Sequence, residues 1–143
     1  MGRHYFLSFN FKGRFQTIAR GYYKGCHSII LVYDISDRHS FKCIEYWFRK
    51  IRDHFDRDQT AVMLVGNKAD KEEDRKVTEA EGAELAKSLG MDFIETSTKL
   101  GLNIHEMFMK ITEKMLLIDQ VSKLPQIFCK AQFFGNLRKF GSI

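Results

Sequence analysis

Residues 61–70 read A-V-M-L-V-G-N-K-A-D, five apolar residues followed by a glycine and a mainly polar cluster. A short, continuous apolar run rich in valine predicts a strand that is buried on both faces. The polar residues follow at the carboxyl end of that strand. Because ligands of open parallel sheets bind beyond the carboxyl ends of the strands, we predict that Asn67, Lys68 and Asp70 lie at a ligand-binding edge.

Strands and helices alternate on both sides of this run. Apolar runs at residues 28–33 and 93–94 predict two further strands. Apolar side chains spaced three and four residues apart predict amphipathic helices over residues 41–55 and 104–118. Strands that alternate with helices favour right-handed crossovers, and hence an α/β fold with a mostly parallel sheet and helices on both faces.

Two helix starts carry local sequence signals. Thr78 followed by Glu81 has the spacing of a capping box, and Gly90 is suited to the left-handed backbone that ends a helix. Asn103 and Glu106 resemble a second cap at the start of the last helix. These signals predict helix boundaries independently of the apolar periodicity.

A second polar cluster, E-T-S-T-K at residues 95–99, follows the strand at residues 93–94. The Asp70 carboxylate would pair with two adjacent N–H groups, which guanine offers on one edge and adenine does not. Adenine would leave that carboxylate unpaired, at a cost of roughly 1–3 kcal/mol or more. The Lys68 and Lys99 stems would cover the faces of the ring, and N–H groups around Thr98 would meet a base carbonyl.

The two clusters resemble the N-K-x-D and E-T-S-A-K motifs of the Ras superfamily of small GTPases, and within it of the Rab-type vesicle-trafficking proteins. Residues 14–18 and 22–25 resemble the Rab switch II region, and residues 31–35 resemble the strand that follows it. Thr98 stands where the family usually has Ala. The alternative for the first cluster is an ordinary strand-to-helix turn. The resemblance implies a three-layer, P-loop-NTPase-like G domain that recognises the guanine of GTP or GDP through six residues: Asn67, Lys68, Asp70, Ser97, Thr98 and Lys99.

The motifs that hold the phosphates are not found. None of the ten glycines is followed by Lys, so the sequence has no G-x-x-x-x-G-K-[ST] loop. Counterparts of the first strand, first helix, switch I and second strand are also missing. When the family's D-x-x-G-Q-E motif is set against Arg14, its four fixed residues fall on Ser8, Phe11, Lys12 and Gly13. Because phosphoryl transfer depends on these groups, we expect weak nucleotide binding, no catalytic residue, no Mg²⁺ site and near-background hydrolysis.

The missing first strand lies in the middle of the family sheet, which has the strand order 2-3-1-4-5-6. The strand at residues 28–33 is therefore expected to have an open apolar edge, which invites pairing or aggregation. Our hypothesis is that residues 5–9 pair with it, and amide exchange protection across both segments would test this. Because the match begins abruptly at Arg14, we expect residues 1–13 to derive from an alternative start or an incorrect gene model.

The composition of the 143 residues, 44% hydrophobic and 29% charged, is that of a globular protein. We predict a divergent segment at residues 1–13, a partial G domain at residues 14–120 and a basic, aromatic tail at residues 121–143. The last cysteine is Cys129, so no prenylation signal is present. The histidines and cysteines show no metal-binding spacing. We expect a cytoplasmic protein, peripheral to endomembranes, with at most weak attraction to membrane surfaces and no specific nucleic-acid partner.

Two functions are compatible with the sequence. The first is a Rab-type protein that binds guanine nucleotide and has lost GTP hydrolysis. The second is a nucleotide-independent module that binds trafficking partners, such as Rab effectors or regulators, through a switch II-like surface. We assign Phe15, Ile18, Tyr22 and Tyr23 to that surface. Replacing Asp70 by Ala separates the two, because it removes base recognition and leaves the switch II-like surface unchanged.

Overall fold

The computed structural model describes residues 5–10, 26–56 and 58–122. Strands and α-helices alternate along these residues in the order β1 (Tyr5–Asn10), β2 (Cys26–Asp34), α1 (Arg38–Arg52), β3 (Ala61–Asn67), α2 (Glu79–Leu89), β4 (Asp92–Thr96) and α3 (Ile104–Ser122). The strands form one sheet in the order β1-β2-β3-β4, and every neighbouring pair is parallel. The predicted α/β class is therefore confirmed.

β1 occupies the edge of β2 that the sequence leaves open. Leu7 lies opposite Ile29 and Phe9 lies opposite Leu31 in the parallel register. The expected open edge is therefore wrong for this part of β2, and the predicted pairing of residues 5–9 is confirmed. Pairing on both sides gives the backbone N–H and C=O groups of a central strand their hydrogen-bond partners. A segment without a family counterpart thus completes the sheet.

The two faces of the sheet carry separate apolar clusters. Successive side chains of a strand point to opposite faces, so Ile29, Leu31 and Tyr33 join one cluster while Ile30 and Val32 join the other. Helices α1 and α2 cover the first face and α3 covers the second. Their buried contacts are made by Ile44, Phe48 and Ile51 of α1, Ala86 of α2, and Met107 and Ile111 of α3. The predicted helix–sheet–helix layering is confirmed.

The boundaries of α1 and α2 follow from local hydrogen bonds. The Asp37 carboxylate caps α1 by accepting from the N–H groups of His39 and Ser40. This helix ends at Arg52, so the predicted stripe extends too far, although Phe55 still packs against the core. α2 begins with the predicted capping box and ends at Gly90, which has a φ of +70°.

The start of α3 differs from the prediction. Asn103 has a φ of +56°, not the extended backbone of an N-cap residue. Its side-chain amide donates to the Glu95 carbonyl oxygen at 2.8 Å, which ties the loop to the end of β4. α3 continues to Ser122, two residues into the predicted tail. Within the described residues, no helix combines the length and apolar character needed to span a membrane.

Candidate guanine-binding site

The carboxyl ends of β3 and β4 lie side by side. These strands are parallel neighbours, and Asn67 at the end of β3 lies opposite Thr96 at the end of β4. The residues that follow each strand therefore emerge at the same edge of the sheet. This confirms the prediction that the polar clusters at residues 67–70 and 95–99 share one rim.

Asn67 is fixed between the two strands. Asn67 is only 5% exposed, and its Oδ1 accepts a hydrogen bond from Thr96 Oγ1 at 3.3 Å. The N–H of Ala69 donates to the Thr96 carbonyl oxygen at 3.0 Å, so the backbone of the loop is tied to β4 as well. Both contacts fix the direction in which the Asn67 amide points.

Asp70 is held by the second polar cluster. Ser97 Oγ donates to Asp70 Oδ1 at 2.5 Å, and the N–H of Leu100 donates to Ser97 Oγ at 3.2 Å. Ser97 is buried and Asp70 is half-buried. A carboxylate has acceptor capacity for several donors, so the bond from Ser97 orients the group and leaves it able to accept two N–H groups of a base.

A short β-bridge shapes the loop that follows β4. Ser97 and Leu102 exchange backbone hydrogen bonds of 3.1 and 2.9 Å, and Gly101 turns the loop with a φ of +69°. Thr98 and Lys99 are exposed at this turn. Within the described part of the chain, their backbone N–H groups make no hydrogen bond. These N–H groups are the donors that the sequence assigns to a carbonyl oxygen of the base.

Lys68 has its side chain directed to the neighbouring strand. Its backbone lies in the left-handed region, with a φ of +67°. Its Nζ lies 2.6 Å from Oδ2 of Asp34, at the carboxyl end of β2. The predicted cover of a base by the Lys68 stem, like that by the exposed Lys99, stays a prediction. The contact shows that the rim includes β2 in addition to β3 and β4.

Asp34 is a rim residue that the sequence reading did not assign to the site. Burial would raise the pKa of its carboxyl, but hydrogen bonds from Lys68 and Ser36 outweigh it and hold that pKa below its ordinary value. The carboxylate is therefore charged at neutral pH. The signal was present in the sequence, because Asp34 directly follows the run at residues 28–33, just as Asn67 follows residues 61–65.

A second ion pair lies on the opposite side of the rim. The Arg75 guanidinium binds the Glu95 carboxylate in a two-pronged contact, with N–O distances of 2.7 and 2.8 Å. Only 17% of the Arg75 side chain and 10% of the Glu95 side chain are exposed. Arg75 also donates to the carbonyl oxygen of Val77 and to the Glu72 carboxylate. This arginine had no signal in the sequence, because its partner is twenty residues away.

Several predicted residues lie outside the description of the structure. The four residues assigned to the switch II-like surface, Phe15, Ile18, Tyr22 and Tyr23, are outside the described residues. The same holds for Phe11, Lys12 and Gly13 of the positions that align with the family's D-x-x-G-Q-E motif, whereas the fourth position, Ser8, lies in β1. Among the described residues, no cluster of three or more acidic, His or Cys side chains is placed to hold a metal ion.

An amide, a carboxylate and exposed N–H groups lie at the carboxyl ends of parallel strands, which is where open α/β sheets bind their ligands. The sequence model of the Ras family matches residues 12–117, most of the chain. The chain belongs to the Ras family.

Its similar relatives are of the Rab type. The Ras-related protein SEC4 of Saccharomyces cerevisiae is 44% identical over 100 residues, covering 70% of this chain and 46% of the relative. The human Ras-related protein Rab-15 is 44% identical over 103 residues, covering 72% of this chain and 48% of the relative. The bovine Ras-related protein Rab-26 is 36% identical over 102 residues, covering 71% of this chain and 40% of the relative. The chain thus spans about half the length of the curated relatives that it matches.

Proposed function

We propose that this chain binds GTP or GDP through the guanine base, as a Rab-type protein of vesicle trafficking, and that its GTP hydrolysis is near background. The observation that carries the proposal is the pairing of Asn67 with Thr96 and of Asp70 with Ser97 at one rim. These contacts fix an amide and a carboxylate beside each other before any ligand arrives. Preorganised groups of this kind lower the entropy cost of binding.

The chemistry of the rim favours guanine over adenine. The Asp70 carboxylate accepts from the N1–H and the exocyclic amine of guanine, while the N–H groups at Thr98 and Lys99 donate to its carbonyl oxygen. Adenine has no matching donor pair, so it would leave a partly desolvated carboxylate without partners. A site that is built to hydrogen-bond a ligand discriminates strongly against an analogue that lacks the matching groups.

We propose that the affinity is weak. In this superfamily a glycine-rich loop and its lysine hold the phosphates, and the sequence has no such motif. Hydrogen bonds to charged phosphate oxygens belong to the stronger class, so a site that relies on the base alone loses much of the binding free energy. Mg²⁺ is then expected to add little to binding.

Thermal unfolding with GDP, with ADP or without nucleotide, each with and without Mg²⁺, tests this function. A ligand that binds only the folded state at one hundred times its Kd stabilises it by about 2.7 kcal/mol. We expect the unfolding midpoint to rise with GDP and not with ADP. Asp70→Ala should abolish the rise, and Asp58→Ala, which changes an exposed carboxylate that precedes the amino end of β3, should retain it.

The outcomes separate the two candidate functions. A cooperative transition that is indifferent to GDP contradicts base recognition and favours the nucleotide-independent module. A GDP response that Mg²⁺ strengthens several-fold contradicts the loss of the metal site.

We also propose a cytoplasmic protein at the surface of endomembranes, on the basis of its Rab-type relatives. Cell fractionation tests this location, and recovery of the tagged chain in the lumen of organelles would contradict it.

A further inference from the structure

Asp34 lies next to the residue that begins the base-recognition loop. It is the last residue of β2, it is 7% exposed, and its register partner in β3 is Asn67. The N–H of Ile35 donates to the Asn67 carbonyl oxygen at 3.0 Å, so the pairing of the two strand ends continues past Asp34. The Asp34 carboxylate therefore has a fixed position beside the candidate site.

Both oxygens of the Asp34 carboxylate have hydrogen-bond partners. Oδ1 accepts from the N–H of Ser36 at 2.9 Å and from Ser36 Oγ at 2.6 Å. Oδ2 contacts Lys68 Nζ at 2.6 Å. The backbone N–H of Asp34 donates to Ser40 Oγ at 3.0 Å. The two bonds from Ser36 fix the Asp34 carboxylate, the bond to Ser40 fixes its backbone, and Oδ2 faces the Lys68 ammonium.

Lys68 needs such a partner. Its left-handed backbone is disfavoured for a residue that has a Cβ atom, and residues in such conformations persist only where surrounding contacts determine them. Without Asp34 the ammonium has another carboxylate within its own loop, that of Asp70, two residues along the chain. A Lys68–Asp70 pair would neutralise the group that is proposed to accept the guanine N–H donors.

We propose that Asp34 is a positioning residue for base recognition, because it holds the Lys68 ammonium at β2 and keeps it away from Asp70. This inference rests on the proposed function. It assigns Asp34 no contact with the nucleotide. The residue acts through Lys68, whose side chain then points to the end of β2 while Asp70 stays available to the base.

A double-mutant cycle of Asp34→Asn and Lys68→Met tests the inference. Asparagine keeps the volume and the hydrogen bonds to Ser36, and methionine keeps an unbranched stem without the charge. GDP affinity is measured by calorimetry for the full chain and the three variants, and each nucleotide-free variant is unfolded thermally as a folding check. We expect Asp34→Asn to weaken GDP binding by about tenfold, a size typical of coupling between contacting residues.

The decisive readout is the effect of Asp34→Asn in the Lys68→Met background. Because no ammonium is left to reach Asp70, we expect no further loss of affinity there. A role of Asp34 that does not involve Lys68 predicts the same loss in both backgrounds, and that result overturns the inference. A role of the ion pair as a structural support predicts that Lys68→Met alone weakens GDP binding as much as Asp34→Asn does, and that result overturns it as well. If Asp34→Asn alone does not fold, the double variant is compared with Lys68→Met. Equal affinities support the inference, and a double variant that binds much more weakly overturns it.

The wild-type arm distinguishes this inference from the proposed function. A wild-type chain that does not bind GDP overturns both. A wild-type chain that binds GDP, combined with an Asp34→Asn variant that binds equally well, overturns the role of Asp34 and leaves base recognition standing.

Discussion

The polar rim of the sheet and the apolar layer directly beneath it differ in the hydrogen bonding of their buried polar atoms. At the rim, Asn67, Asp34 and Ser97 are buried, and each has a hydrogen-bond partner on a neighbouring strand or loop. One layer below, between the sheet and α2, the Tyr33 side chain is fully buried. Its hydroxyl makes no hydrogen bond within the described part of the chain.

The difference shows where the fold fixes side-chain direction. Burial, reinforced by the nearby Glu95 carboxylate, raises the pKa of the Tyr33 hydroxyl far above its usual range, so this group is neutral at physiological pH. The Tyr33 ring packs edge-to-face on Phe41, with the ring centroids 4.9 Å apart. Tyr33 thus contributes apolar packing, whereas the rim contributes oriented donors and acceptors. Three substitutions test this contrast.

Arg75→Ala should have the largest effect on the free energy of unfolding, because it removes the ion pair with Glu95. It would leave the Glu95 carboxylate largely buried and without its cationic partner. Breaking a buried pair costs about 3–5 kcal/mol, and we expect about 3 kcal/mol because one sixth of the Arg75 side chain is exposed. Urea unfolding at neutral pH measures this change. Base recognition should also weaken, since Glu95 begins the cluster at residues 95–99.

The matched control for this prediction is Arg38→Ala. Arg38 and Glu81 form an ion pair at 2.7 Å, but their side chains are 42% and 38% exposed. Exposed pairs contribute roughly 0.2–1 kcal/mol, so the control should lose much less stability. Equal losses in the two variants would show that burial does not distinguish the rim pair from a surface pair.

Gly82→Ala should have an intermediate effect, because it overfills the apolar layer. A Cβ at this position of α2 would overlap the Tyr33 hydroxyl and come within 2.5 Å of Phe93 Cζ. Alanine gains about 1 kcal/mol of helix propensity over glycine, while overpacking costs about 1–3 kcal/mol. We expect a net loss of about 1 kcal/mol in urea unfolding. A more stable variant would mean that the two rings move apart at little cost.

Tyr33→Phe should have the smallest effect, with the opposite sign. It removes a buried hydroxyl that has no hydrogen-bond partner among the described residues, and an unsatisfied polar group costs about 1–3 kcal/mol. The ring remains and keeps its packing on Phe41, so we expect a gain of up to about 1 kcal/mol in the free energy of unfolding. The same change should reduce the loss caused by Gly82→Ala. A destabilised Tyr33→Phe variant would show that the hydroxyl has a partner in solution.

Much of the fold could be predicted because its signals are local. The capping box at Thr78 and the left-handed Gly90 depend on residues a few positions apart, and the apolar runs depend on burial that every sheet strand shares. The rule that ligands bind beyond strand ends directed attention to residues 67–70 and 95–99. The sequence favours Asn103 as a helix cap, but an amide beside a helix can cap the helix or bind a carbonyl oxygen elsewhere. Only the adjacent end of β4 decides between the two.

The sequence does not predict which carboxylate each lysine or arginine binds. Arg75 is one of many charged residues in its loop, and nothing in its neighbourhood indicates that Glu95 is its partner. The same is true of Lys68, whose nearest carboxylate along the chain is Asp70 and not Asp34. Long charged side chains reach many partners, so the choice depends on which carboxylate the folded backbone brings within hydrogen-bond distance.

The sequence by itself determined the alternation of strands and helices, their approximate ends, and the identity of the residues that follow each strand. These features depend on short-range spacing and on residue type. Only the tertiary structure decided the register in which β1 pairs with β2, that Asp34 holds Lys68, and that Arg75 holds Glu95. Each of these contacts joins segments that are distant in the chain, and they become neighbours only when the parallel strands pair in register.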